Sequence, residues 1–248
     1  MNFSFCLPTL GNKKLVRTFL DSLERTTHDK KNIEVFFAID EGKTEIIEYV
    51  ESFKYSFYIE FHERPQTKDF TNDYYNYLAD RTCGDNIIAF NDDAWMRTQH
   101  WDRKILRTIK EYGWSVYMVD IPDTARIKYK NPFPCFPCVS RRAMNTLGWL
   151  LCKEVPMYPA DLVTTNVYNY VKRVIPVRDV LIEHDHIIES DPSKSRMMEI
   201  FLEDKKAKEG KPLDVSKDVE RLAFAIAGEK NKANNKFNRI WNIITEDK

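Results

Sequence analysis

The chain has 248 residues, with lysine plus arginine and aspartate plus glutamate at 38 each, so it is long enough to bury a substantial core and has no bulk positive field to attract nucleic acid. Its five cysteines, Cys6, Cys83, Cys135, Cys138 and Cys152, are odd in number and scattered, which suits reduced thiols better than a disulfide framework. There is no basic leader ahead of a long apolar segment and no apolar run long enough to span a bilayer, so the expectation is a soluble, cytoplasmic protein.

Phe3 to Leu7 reads as a short apolar strand broken by Pro8-Thr9-Leu10-Gly11-Asn12. A helix from about Lys13 to Arg25 follows, with Leu15, Phe19, Leu20 and Leu23 at helical spacing. A second strand, Ile33 to Ile39, ends at Asp40-Glu41-Gly42, and a helix is expected from about Thr44 to Ser52. A third strand near Phe57 to His62 leads through Glu63-Arg64-Pro65-Gln66-Thr67-Lys68 to a helix opened by Thr71 or Asn72 and running to about Arg81. The fourth strand begins at Asn86 and stops abruptly at Asn91-Asp92-Asp93. Strands alternating with helices of this length predict crossovers in an α/β sheet, with four strand ends gathered on one edge.

Beyond the acidic pair, Thr98 is a plausible cap for a helix that carries Trp101, Ile105, Leu106 and Ile109 on one face and ends at Gly113. A strand is expected over Trp114 to Asp120. The proline-rich stretch from Asn131 should be a shaped loop or an edge strand, passing into a short helix around Arg142 to Leu147. Pro159-Ala160-Asp161 precedes a helix through Tyr170 and Val171, and Val180 to His186 reads as a last strand emptying into Glu183-His184-Asp185-His186. From Asp191 the chain turns lysine-rich, with an apolar stripe at Val215, Val219, Leu222 and Ile226. The expected division is therefore a catalytic unit over 1–190 and a helical appendage over 191–248.

An apolar strand that delivers acids to the carboxyl edge of an open sheet is a natural place for a metal. Asp92 and Asp93 are adjacent and point apart on an extended backbone, so one lies on the metal while the other orients it or the ligand; Asp93 is the choice for the direct ligand. Cys135-Phe-Pro-Cys138 has zinc-knuckle spacing but no second pair, and no zinc is assigned to it.

Taken together, the Pro8-Thr9 loop, the strand ending at Asp40, the helix entered at Asn72, Asn91-Asp92-Asp93, Gly148-Trp149, Asp161 and Glu183-His184-Asp185-His186 resemble GT-A-fold glycosyltransferases of the family-2 type. The departure is Asn91, which stands where the usual Asp-x-Asp begins. The resemblance, which covers roughly the first 190 residues, implies a GT-A type, mostly parallel central sheet flanked by helices, to which the composition adds the C-terminal helical appendage. It also implies a metal-dependent, inverting transferase that moves a sugar from a nucleotide diphosphate sugar, a UDP-sugar being favoured, to a hydroxyl acceptor.

By that resemblance Pro8, Thr9 and Asp40 hold the base. Arg64, Lys68 and Asn72 flank the nucleotide with Asn91 and Asp92, and Asp93 holds Mn2+ or Mg2+ with His184, His186 being the understudy. Asp161 is the acid that takes the acceptor's proton. Alternatives stay open at several positions: Arg64 as a surface charge, Asn72 and Asp161 as helix caps, and Trp95, Trp149 and Tyr158 as either a sugar platform or core. A non-catalytic nucleotide-sugar-binding or scaffolding protein of the same fold is the rival reading. A nucleotidyltransferase is disfavoured by the absence of a glycine-rich, lysine-bearing phosphate loop.

Overall fold

The computed structural model describes residues 2–157, 159–185 and 214–229. In chain order the elements are β1 (Phe3–Thr9), α1 (Lys13–Thr26), β2 (Ile33–Asp40), α2 (Glu45–Glu51) and β3 (Tyr58–Arg64). A π-helical turn, Thr71–Asn76, then runs on into α3 (Tyr77–Ala79), followed by β4 (Asn86–Ala89), β5 (Ala94–Met96) and α4 (Trp101–Tyr112). Next come β6 (Met118–Asp120), α5 (Thr124–Tyr129), β7 (Cys138–Ser140), α6 (Arg141–Leu147), α7 (Ala160–Tyr170), β8 (Val174–Pro176) and β9 (Ile182–His184). A last helix, α8, covers 216–229.

The main sheet has seven strands in the order β3-β2-β1-β4-β7-β6-β8. Strands β3, β2, β1 and β4 are mutually parallel; β7 is antiparallel to both β4 and β6, and β8 is parallel to β6. Every strand except β7 therefore points the same way, and the carboxyl ends of β1, β2, β3, β4, β6 and β8 meet at one edge. That mostly parallel sheet, flanked by helices, is the α/β architecture expected from the alternation of elements.

Both faces of the sheet are covered, so its strands carry apolar residues in both directions. In β2, Val35, Phe37 and Ile39 join one core, with Phe5, Phe19, Phe90 and Trp101. The intervening Phe36 and Ala38 join the other, with Tyr74, Leu78, Trp149 and Tyr168. On the first face α1 buries Leu15, Val16, Phe19, Leu20 and Leu23, and it starts where the Asn12 side chain accepts the N–H groups of Lys14 and Leu15. Pro8 lies beyond the last β1–β4 pair, Cys6↔Ala89, where its missing N–H costs no ladder bond to β4. At the opposite edge the Glu34 carboxylate accepts from Ser4 Oγ at 2.5 Å and from the N–H groups of Cys83 and Gly84. A Cβ on Gly84 would lie 2.2 Å from Ser4 Oγ, so only glycine lets the chain approach that closely.

Several expectations need correction. The helix expected from Thr98 begins at Trp101, after His100 in the left-handed region at φ 56. Thr98 does not cap it, because its Oγ1 accepts the Leu181 N–H at 2.9 Å. The residues before it form β5, which pairs antiparallel with β9 in a separate two-stranded sheet. The strand expected from Trp114 is only Met118–Asp120, and neither α5 nor β8 was anticipated. Of the two alternatives for the proline-rich stretch, the loop is seen, over 131–137; the strand that follows, β7, lies between β4 and β6 and starts only after Pro137, where N–H groups become available for pairing. The helix after Lys68 opens with a π turn rather than an α turn.

Of the expected appendage, only 214–229 falls among the described residues. There Leu222 is fully buried in the second core, with Val215, Val219 and Ile226 packed against it.

Candidate active site at the carboxyl edge of the sheet

The first strand end contributes Thr9, whose Oγ1 donates to Asp92 Oδ2 at 2.7 Å and accepts the Gly11 N–H at 3.1 Å. Next to it Asp40 is buried, and its carboxylate accepts from the Tyr74 hydroxyl and, at 3.3 Å, from Gln66 Nε2. Tyr75 donates to Asn91 Oδ1 at 2.5 Å. Neighbouring tyrosines in one π turn thus reach two different strand ends, a use of the widened turn that recurs at functional sites.

Arg64, paired with Asp40 across β2–β3, turns toward α3: its Nε donates to the Asp73 carbonyl at 3.2 Å and its guanidinium lies 3.7 Å over the Tyr77 ring. Lys68 is exposed. Asn72 is a bolt: its N–H and its Nδ2 bond to Asp69, and Nδ2 also donates to the Lys153 carbonyl at 2.9 Å. One turn on, the Asn76 side chain accepts the N–H groups of Leu150 and Leu151 and donates to the Leu151 carbonyl. Trp149 is buried in the second core, whereas Trp95 is half-buried on β5; Tyr158 and His186 lie outside the described residues.

The fourth strand ends at Ala89, so Asn91, Asp92 and Asp93 sit in a turn closed by the Ala94 N–H on the Asn91 carbonyl at 3.3 Å. The turn sends the carboxylates apart, Asp92 to Thr9 and Asp93 to His184. What joins Asp93 to His184 is the β5–β9 ribbon, which sets Ala94 opposite His184, while the Asp185 N–H donates to the Asp93 carbonyl at 3.0 Å. Asp93 Oδ1 lies 3.7 Å from His184 Nε2.

The other imidazole nitrogen, Nδ1, lies 3.2 Å from Asp123 Oδ1. Asp123 was not anticipated from the sequence. It is fully buried, and as the N-cap of α5 its Oδ1 also accepts the Arg126 N–H at 2.8 Å. Burial works to raise its carboxyl, but the His184 and Arg126 hydrogen bonds outweigh burial and hold it below the usual carboxylate range. Phe136 packs edge-on against the His184 ring at 4.8 Å between centroids. Cys135, the residue before it, completes a group with Asp123 and His184 whose ligand atoms all lie within 4.8 Å of one another. Burial, and after it the Asp123 charge, push the Cys135 thiol well up.

Asp161 lies in the first turn of α7, where its Oδ1 accepts the Leu162 N–H at 2.8 Å. Burial pushes its carboxyl up to about 6 against the pull of the backbone N–H groups, and Asp123 adds to the rise. Tyr75 stands among these acids: burial first, then Asp93, Asp92 and Asp161, keep its hydroxyl protonated far above the ordinary range. Of the expected acids, Asp92, Asp93 and Asp161 therefore act on one side chain that the sequence did not single out, while Asp40 is held by the neighbouring Tyr74. An open groove of about 480 Å3, lined by Asp120, Pro122, Arg126, Lys130 and Arg178 among others, lies at the ends of β6 and β8 and contains none of the expected residues.

No family model matches the sequence, and no curated protein does either. Solved structures do. The crystal structure of residues 1–349 of S. aureus TarS in complex with UDP aligns over 90% of this chain and 70% of its own, at 14% identity and a TM-score of 0.60. The fold is that of GT-A glycosyltransferases. The same GT-A-like architecture is seen in the mannosyltransferase PcManGT from Pyrobaculum calidifontis, in complex with GDP-Man and Mn2+, which matches over 90% of this chain and 69% of its own, at 14% identity and a TM-score of 0.60. TarS 1-349 with UDP-GlcNAc matches at the same identity and TM-score.

Proposed function

We propose that this chain is a metal-dependent, inverting glycosyltransferase that moves a sugar from a nucleotide diphosphate sugar, a UDP-sugar in the first instance, to a hydroxyl acceptor. The observation that carries the reading is the pairing of Asp93 Oδ1 with His184 Nε2 at 3.7 Å. Two ligands of one divalent ion, each about 2.0–2.3 Å from it, stand about 3–4 Å apart, so the spacing fits a shared cation. Asp123 supplies the outer carboxylate that holds the ring by Nδ1 and leaves Nε2 to face the ion. The Asp93 carboxylate and the diphosphate oxygens suit Mn2+ or Mg2+, and the single imidazole favours Mn2+, the softer of the two; PcManGT, of the same fold, was solved with Mn2+.

Mn2+ or Mg2+ bound here supplies Lewis-acid stabilisation of the departing diphosphate. The rest falls to the chain's own groups. Thr9 and Asp40, with Pro8 beside them, form the ledge for base and ribose, where a carboxylate held by Tyr74 and Gln66 is the kind of acceptor that an imide N–H needs. Arg64 and Lys68 bring positive charge to the nucleotide side, Asn72 fixes the start of the π turn that follows them, and Asn91 and Asp92 complete the wall of the donor site. Asp161 takes the proton from the acceptor hydroxyl as that oxygen bonds to the anomeric carbon and the carbon–phosphate oxygen bond breaks on the opposite face; a carboxylate raised to about 6 is well matched to this task near neutrality.

One observation favours a non-catalytic binding protein as the second reading: Asn91 Oδ1 is taken by Tyr75 rather than offered as a carboxylate. Calorimetry of UDP binding with and without manganese tests the main reading. Manganese should tighten UDP binding in the natural chain and not in Asp93→Ala. UDP affinity indifferent to manganese in the natural chain would remove the metal site, and coupled binding with neither transfer nor donor hydrolysis would favour the binding protein.

A further inference from the structure

We infer that Asp123, Cys135 and His184 form a second cation site, selective for zinc-class ions, and that zinc there silences the Asp93–His184 site by taking the imidazole they share. The site itself stands on the cluster geometry; its inhibitory half rests on the reading of His184 given under Proposed function.

The three ligand atoms lie within 4.8 Å of one another, and His184 Nδ1 and Asp123 Oδ1 are 3.2 Å apart. With Zn–N and Zn–O bonds of about 2.0–2.2 Å and Zn–S of about 2.3 Å, the edges of a tetrahedral site come to about 3.3–3.6 Å. The nitrogen–oxygen edge is therefore already close to its bound length, and the sulfur closes on the ion by a small rotation. Asp123 and His184 are buried and Cys135 is half-buried, so the solvent side is left for a water as fourth ligand. A sulfur, imidazole and carboxylate set selects a borderline-soft ion over the hard Mn2+ and Mg2+, which favour oxygen.

The two sites exclude one another because a neutral imidazole carries a single proton. With that proton on Nδ1 and donated to Asp123, the Nε2 lone pair faces Asp93. Zinc on Nδ1 moves the ring proton to Nε2, where it points at Asp93 Oδ1 and no lone pair remains for a second ion. The Cys135 thiol proton passes to solvent as the Zn–S bond forms, and no electron changes hands.

Cobalt(II) titrated into the metal-free full chain reads the site without any assay of turnover. A thiolate-to-cobalt charge-transfer band in the near ultraviolet, bleached by zinc, is expected in the natural chain and in Asp93→Ala, and should be lost in Cys135→Ser and Cys135→Ala. Excess zinc should weaken manganese-supported UDP binding at least about tenfold in the natural chain and leave it unchanged in Cys135→Ser. A folded natural chain without the band, or Cys135→Ser retaining it, overturns the site. A band accompanied by UDP binding that zinc leaves untouched overturns the shared histidine. If manganese has no effect on UDP even in the absence of zinc, the reading under Proposed function falls and the inhibitory half with it, while the cobalt band decides the cation site by itself.

Discussion

Asp161 separates binding from chemistry at the scale of a single carboxylate. Since burial lifts it to about 6, transfer should rise about tenfold per pH unit below that value and level off above it, because only the ionised form accepts a proton. Asp161→Asn keeps the shape and the bond from Leu162 yet cannot act as a base, so transfer should fall about 10²–10⁴-fold with UDP affinity unchanged. Near wild-type transfer would return Asp161 to a purely local role in α7, and a parallel loss of UDP affinity would place it in the donor site. The linkage has a sign that can be checked in the same samples. A carboxyl raised on folding favours the folded state below its unfolded value, and that advantage is lost as pH climbs toward about 6. The asparagine variant should therefore be at least as stable as the natural chain at pH 7 by denaturant titration. Tyr75 has no such signature in the sequence: a tyrosine at helical spacing reads as core, and only the fold reveals its hydroxyl among Asp92, Asp93 and Asp161.

The π turn and α3 form the element that connects the donor ledge to the later half of the chain, and Asn76 is its fastening. Its amide serves two N–H groups and one carbonyl of the Leu150–Leu151 turn, all buried. Asn76→Ala strands these groups and should cost about 2–4 kcal/mol in a urea titration; a loss below about 0.5 kcal/mol would mean that water replaces the amide at no penalty. How much of each element was legible follows from where its order comes from. β1 to β4 and α1 were readable because apolar runs and helical spacing are local signals that both faces of a buried sheet reinforce. β5 and β8 have three residues each, and what holds them is pairing with distant partners, which no window of sequence contains; β9, as short, was readable from the apolar run at Val180. α8 is intermediate: its stripe was legible, but the depth at which Leu222 sits in the second core was not. We propose that 191–248 is nevertheless an appendage to a catalytic unit ending near 190. A chain stopped there should fold and bind UDP with a lowered melting temperature, and Leu222→Ala in the full chain should cost about 2–4 kcal/mol. A truncated chain lacking a cooperative melt would assign α8 to the core.

Across the whole molecule, the candidate site depends on bringing together three segments far apart in sequence: the turn after β4, the start of α5 and the end of β9. Asp93 and His184 were legible as residue types at strand ends, and their coupling was available only through the resemblance. Asp123 carried no signal, since an aspartate before a short helix reads as an ordinary cap. In the fold that cap is also the only described carboxylate bonded to His184 Nδ1, and the two duties can be pulled apart. Asp123→Asn still offers an oxygen to the Arg126 N–H, so α5 should persist with little change in melting temperature. It weakens the grip on the imidazole proton, and loss of such an outer carboxylate lowers metal affinity about 10–100-fold. In a thermal-shift series, UDP plus manganese at about 100-fold over their dissociation constants should stabilise the natural chain by about 2.7 kcal/mol, with much less from either alone. Asp123→Asn should need about 10–100-fold more manganese to reach the same shift, and His184→Ala should not reach it at any concentration. An Asp123→Asn chain that follows the natural manganese curve would show that Nε2 needs no orienting carboxylate, and Asp123 would then be a helix cap that happens to touch a histidine.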